Sequence, residues 1–121
     1  MAKTVLIAED AKATREVLTF LFSSRGYTVV EAVTGTVALE KAKAVHPDAI
    51  ILDSEMPEMS GYDVYRALKE EPSCKGIPVF VLVADTEMFD IPTRSIPPVQ
   101  YLITKPFRAH DLVQKVEKSL S

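Results

Sequence analysis

The sequence predicts an α/β fold built on a doubly wound, five-stranded parallel sheet. Short runs rich in Val and Ile alternate with amphipathic helical patterns from one end to the other. Such alternation builds a parallel sheet with helices on both faces. The chain has 121 residues, 47% apolar and 26% charged, which is the balance of an ordinary soluble globule. A chain of that length buries roughly two-thirds of its extended surface, enough for one core, so residues 1–121 are expected to form a single domain.

The elements follow in order. The first run, residues 4–8, is apolar and stops at Glu9 and Asp10. Val17, Leu18, Leu21 and Phe22 then share a helical face, and Gly26 stands where that helix should stop. The second run, residues 27–32, carries Thr28 and Glu31. Ala38, Leu39, Ala42 and Val45 mark a second helix, followed by Pro47 and Asp48. The third run, residues 49–52, is wholly apolar and leads to Asp53. Val64, Tyr65 and Leu68 form a third helical stripe, closed by the loop from Pro72 to Gly76. The fourth run is residues 78–83. The next crossover, residues 84–98, contains Pro92, Pro97 and Pro98. Proline inside a helix costs about 3 kcal/mol, so a fourth helix there is expected to be short or broken. The fifth run, residues 99–103, carries Gln100. Leu112, Val113, Val116 and Leu120 mark the final helix. Central strands of a parallel sheet are apolar throughout, whereas edge strands admit polar residues. The polar residues of the second and fifth runs make those two the edges, which matches the flavodoxin-like order 2-1-3-4-5.

Composition narrows the partners. A net charge of −3 opposes direct nucleic-acid binding, which calls for a basic footprint. No apolar run reaches the 18 or so residues of a membrane helix, and the stretch before Glu9 is too short for a secretory signal. Cys74 has no second cysteine to pair with. A cytoplasmic location is the expectation.

Parallel strands bring their C-terminal ends to one rim, the place where open α/β sheets bind ligands. The residues at those ends are Glu9 and Asp10, Asp53, then Val83, Ala84 and Asp85, then Thr104 and Lys105. Each has an ordinary explanation. Asp10 could cap the first helix, Asp53 could cap the loop after its strand, and Glu9 and Lys105 could be solvated charges. Their joint placement favours a site. Carboxylates packed together resist ionisation unless a cation relieves them, and oxygen ligands alone suit a hard ion such as Mg²⁺. A carboxylate beside a metal and a lysine can attack phosphorus.

At these residues the chain resembles the response-regulator receiver domains, the CheY-like family. The matching segments are Val5-Leu6-Ile7-Ala8-Glu9-Asp10, the stretch from Pro47 through Asp53 to Met56-Pro57 with Gly61 beyond, Ile77-Pro78-Val79, and Lys105-Pro106-Phe107. The resemblance implies that Asp53 is the phosphoacceptor, supplied by a histidine kinase or a histidine phosphotransfer protein. It implies that Asp10, Asp53 and the Glu55 backbone carbonyl bind Mg²⁺ (or Mn²⁺), with Glu9 assisting. Lys105 and the Ala84 backbone amide would contact the phosphoryl group, and the Lys105–Pro106 bond would be cis. Glu55 and Asp85 occupy positions that tune phosphate lifetime in the family. The downstream protein target is not implied.

Two positions depart from the family pattern. Val83 stands where the family has Thr or Ser, and so lacks the hydroxyl that contacts the phosphoryl group. Leu102 stands where the family has Tyr or Phe. Tyr101 is one place earlier and should face the opposite side of the sheet. Pro97-Pro98 replaces a usual small pair. The expectation is that phosphorylation chemistry is kept while the customary switch is lost or rewired. Two rival readings remain open. One is a non-phosphorylated pseudoreceiver acting as an interaction module. The other is a haloacid-dehalogenase-type phosphatase, opposed by the absence of Asp-x-Asp after the first strand and of length for a cap.

Overall fold

The computed structural model describes residues 2–84 and 101–120. Along the chain run β1 (Thr4–Ala8), α1 (Lys12–Ser24), β2 (Thr28–Ala32), α2 (Gly35–Val45), β3 (Ala49–Asp53), α3 (Gly61–Glu70), β4 (Val79–Ala84), β5 (Tyr101–Lys105) and α4 (Ala109–Ser119). The five strands form one sheet in the order β2-β1-β3-β4-β5, and every neighbouring pair is parallel. The doubly wound fold and its strand order are therefore those expected.

The core follows from the two-residue period of a strand. Val5, Ile7, Ile51, Phe80 and Leu82 point to the face covered by α1 and α4, where Leu18, Phe22, Leu112, Val113 and Val116 meet them. Leu6, Ala8, Ile50, Leu52, Val81 and Val83 point to the face covered by α2 and α3, against Ala38, Ala42, Val64, Tyr65 and Leu68. The central strands β1, β3 and β4 are almost wholly buried, whereas β2 and β5 are only partly so. Polar residues in a run thus did mark the edges.

Helix limits follow local chemistry. Thr34 caps α2, accepting from the Val37 amide at 3.1 Å. Ser60 caps α3, accepting from the Asp63 amide at 3.1 Å; each satisfies one of the amides left free at a helix start. After α1 the chain turns at Gly26, whose φ of +88° suits a residue without Cβ.

Some details differ from expectation. Val17 and Val45 are about half exposed, because each lies beside, not on, the line of core contacts of its helix. Tyr27 precedes β2, and its ring stands edge-on to Phe22 with centroids 5.5 Å apart. β3, β4 and β5 each run past the ends expected for them, to Asp53, Ala84 and Lys105. Ladder pairing involves the backbone, so it continues through polar residues: Asp53 pairs Leu82, and Ala84 pairs Lys105. Val99 and Gln100, Asp85, and the short or broken helix with Pro92, Pro97 and Pro98 lie outside the described residues.

Candidate functional site

Five of the expected site residues come together at the C-terminal rim of the sheet. Glu9 and Asp10 follow β1, Asp53 ends β3, Ala84 ends β4 and Lys105 ends β5. One carboxylate oxygen from each of Glu9, Asp10 and Asp53 lies within 4.8 Å of the others. The Lys105 ammonium donates to Asp53 Oδ1 at 2.9 Å. The same oxygen accepts from the Glu55 amide at 3.3 Å. The Lys105–Pro106 peptide bond is cis, as the resemblance implied.

These groups border a cleft of about 790 Å³ whose lining includes Glu9, Asp10, Asp53, Glu55 and Lys105. Ala84 lines a neighbouring, more apolar cleft of about 590 Å³ between α1 and the loop after β5, which also reaches Glu9 and Lys105. Glu55 and Asp10 are exposed, while Glu9 is 2% and Asp53 3% exposed.

The ordinary explanation fails for Asp10. The N-cap of α1 is Ala11, and no side chain caps that helix. It holds only in part for Asp53, whose long bond to the Glu55 amide is accompanied by the shorter one to Lys105.

Gly61 fixes the loop beneath the site. A Cβ there would overlap the Asp53 carbonyl oxygen and the Ser54 backbone. The Gly61 amide donates to the Ser54 carbonyl at 2.9 Å. Only glycine lets α3 start this close to the end of β3.

Electrostatics mark the cluster as short of positive charge. Burial raises the Glu9 carboxyl pKa, and the hydrogen bond and negative charge of Asp53 raise it further. The Ala11 amide and Lys105 pull the other way, and the net result is a group pushed up to about 7. For Lys105, burial favours the neutral form. The hydrogen bond to Asp53 and the charges of Asp53, Glu9 and Glu55 outweigh it, so the ammonium is held above its ordinary value.

Three close oxygen donors, one of them reluctant to ionise, with no sulfur or imidazole among them, form a donor set suited to a hard divalent cation. Those residues fit Mg²⁺.

A stability prediction follows for the protein in chelator. The unfolded chain releases the Glu9 proton near the ordinary carboxylate range, whereas the folded chain keeps it to about pH 7. Between those values the folded state binds more protons, so the contribution is full at low pH and lost as pH rises through the folded value. The unfolding free energy from urea titrations should fall from about pH 5 to about pH 8 by an amount on the order of 2 kcal/mol. Glu9→Gln should flatten that slope. An unchanged slope in the variant would show that the crowding is not felt.

The switch positions are placed as well. Val83 is fully buried on the α2/α3 face, with Leu102 packed against the same cluster. Tyr101 lies on the opposite face, stacked on Phe80 at 4.3 Å between centroids. It does not take the place of Leu102, as strand alternation required.

Arg15 belongs to none of the motifs in the sequence. Its side chain reaches back from the first turns of α1 to the loop that carries Glu9 and Asp10. The signal was available: helical side chains slant toward the helix N-terminus, so a long cation there reaches the preceding loop.

The rest of the chain agrees with comparisons to known proteins. Residues 5–117 match the family model described as the response regulator receiver domain. The chain is 30% identical over 120 residues to the DNA-binding response regulator MtrA of Mycolicibacterium paratuberculosis, covering 99% of this chain and 52% of MtrA. It thus spans about half the length of that relative. It resembles the receiver domain of a signal transduction histidine kinase from Syntrophus aciditrophicus, at 32% identity and a TM-score of 0.89, covering 98% of this chain and 90% of that one. The receiver domain of a sensor histidine kinase from Pseudomonas aeruginosa, solved with a magnesium ion coordinated in its active site cleft, shares the fold. Its TM-score is 0.86 at 22% identity, covering 99% and 98% of the two chains. No helix among the described residues is long and apolar enough to cross a membrane. The family match over nearly the whole chain, on a sheet of the expected order, means that this chain belongs to the response regulator receiver domains of two-component signalling.

Proposed function

We propose that Asp53 accepts a phosphoryl group from the phosphohistidine of a histidine kinase or a histidine phosphotransfer protein. A carboxylate oxygen of Asp53 attacks phosphorus. The P–N bond to the donor imidazole breaks, its electron pair stays on the imidazole nitrogen, and an acyl phosphate forms on Asp53. The observation that supports this reading is the buried Asp53 carboxylate ion-paired to Lys105 at 2.9 Å within a three-carboxylate cluster. Glu9, Asp10 and Asp53, with the Glu55 carbonyl, would hold Mg²⁺ or Mn²⁺. When bound, the ion supplies positive charge to the phosphoryl oxygens. Lys105 orients Asp53 and places a second positive charge beside the reacting group, and the Ala84 amide stands at the adjoining strand end to contact a phosphoryl oxygen. Glu55, exposed at the mouth of the cleft, and Asp85 are the residues proposed to set phosphate lifetime.

Residues 1–121 act on this reading as one cytoplasmic receiver unit that catalyses only its own phosphorylation and dephosphorylation and works by binding a protein target. The net charge of −3 argues against direct nucleic-acid contact by these residues. DNA binding is named for MtrA, of which this chain covers 52%.

The test is to incubate the protein with Mg²⁺ and a small acyl phosphate, weigh it, and map the modified residue. Uptake of one group on Asp53, absent in chelator, supports the reading. No uptake from any donor would favour the non-phosphorylated interaction module, for which the apolar Val83 and Leu102 speak.

Those two residues also bear on how a signal would leave the site. Buried Val83 has no donor to track a phosphoryl group, and Leu102 has no ring to turn. Amide shifts induced by a phosphoryl mimic are therefore expected to stay near Asp53. Shifts spread as widely over residues 84–104 would sink this.

A further inference from the structure

The loop between β1 and α1 must place two consecutive carboxylates, one buried and one exposed, against Asp53. Little on its own side chains holds it. The Glu9 amide donates to the Ala32 carbonyl at 3.1 Å, the Ala11 amide donates back to Glu9 Oε1 at 3.1 Å, and α1 starts without a side-chain cap. A further tie comes from Arg15. Its Nη1 donates to the Glu9 carbonyl at 2.9 Å and approaches the Asp10 carbonyl at 3.4 Å. Its Nε donates to Glu31 Oε1 at 2.9 Å. The Arg15 side chain is 16% exposed and that of Glu31 43% exposed, so the guanidinium is largely covered while its carboxylate partner faces solvent. The Glu31 backbone is fixed in the sheet, paired with Ile7 of β1, and its carbonyl accepts from Lys41 Nζ at 2.6 Å.

We infer that Arg15 is a positioning residue for the cation site: braced by Glu31 on the edge strand, it fixes the Glu9–Asp10 backbone so that both carboxylates reach Asp53. The inference rests on the reading of these three carboxylates as a divalent-cation site. A guanidinium can do this because its planar fork donates in two directions at once. An ammonium cannot keep both geometries. Asp10 is exposed, and among the described residues no side chain holds its carboxylate, so its backbone and the ion would set its place.

The test separates position from charge, because the two predict opposite signs. Removing a cation near a metal site strengthens Mg²⁺ binding by Coulomb's law alone. Removing a positioning partner weakens it, typically about tenfold or more. Mg²⁺ would be titrated into the full chain and followed by the amide shifts of residues 9–11 and 53–55. Arg15→Met is expected to bind about tenfold more weakly. Arg15→Lys, which keeps the charge, should also bind more weakly. Glu31→Gln should weaken binding in the parent and add nothing in the Arg15→Met background. Val113→Ala on α4, destabilised but remote from the loop, should keep parental affinity. Equal or tighter binding by Arg15→Met, or an equal loss in Val113→Ala, would overturn the inference. Should Arg15→Met not fold, Arg15→Lys decides it, since charge alone predicts no change there and positioning predicts a loss. A parent that takes up no Mg²⁺ would bring down the cation-site reading itself.

Discussion

Asp53→Asn should abolish phosphoryl uptake from an acyl phosphate in Mg²⁺ while leaving the fold intact. The amide keeps the shape of the carboxylate, and its oxygen can still accept from Lys105 and from the Glu55 amide, bonds that measure 2.9 and 3.3 Å in the parent. What disappears is the anionic oxygen that attacks phosphorus, so no partial activity is expected. The change also removes one charge of the crowded set beside Glu9, whose carboxyl is pushed up to about 7 in part by Asp53. Lost pairing with Lys105 and relieved crowding with Glu9 oppose one another, so the unfolding transition should stay cooperative and close to that of the parent. Mass spectrometry and urea unfolding on the same preparations check both halves. Uptake by the variant at the parental rate would place the acceptor elsewhere and remove the main support for the proposed function.

Lys105→Met should slow uptake by about 10²–10³-fold at saturating Mg²⁺, the usual cost of losing one preorganised group that stabilises developing negative charge. Methionine keeps the length of the side chain and discards its charge. The ammonium is paired with Asp53 at 2.9 Å, and the surrounding carboxylates hold its pKa above the ordinary value. It stays protonated through the neutral range, so the parental rate should show no titration assignable to it. The same substitution removes a positive charge from the cation site, so Mg²⁺ affinity should hold or rise. Slow uptake with intact metal binding distinguishes a role in the transfer from general damage to the cleft. A rate within threefold of the parent would leave Lys105 with no part in it.

How much of this was legible beforehand depended on which interactions are local. The first and third apolar runs end where a carboxylate begins, so β1, β3 and their carboxylates could be read from that boundary alone. The polar residues Thr28 and Glu31 marked an edge strand because a strand with one open side tolerates them. The pleat puts Tyr101 and Leu102 on opposite faces, and there Phe80 stacks on Tyr101 while Leu102 packs against the cluster under α2 and α3. The less legible parts were those set by contact with something distant. Val17 fits the helical stripe of its neighbours, yet is 50% exposed, since where a helix rests on a sheet is decided by both partners. Asp10 has the makings of a cap until the turn before α1 is seen to place Ala11 there.

The order of apolar and polar residues by itself determined a parallel sheet with two edges, helices on both faces and a rim bearing three carboxylates and a lysine. Those follow from periods of two and 3.6 residues and from the rule that parallel strands end together. Only the tertiary structure decided how far apart those charges stand, that Asp53 and Glu9 are nearly buried at the edge of a cleft while Asp10 is exposed, and that Arg15 ties the β1–α1 loop to β2. Distances between residues far apart in the chain depend on how whole elements pack, and no local pattern encodes that packing.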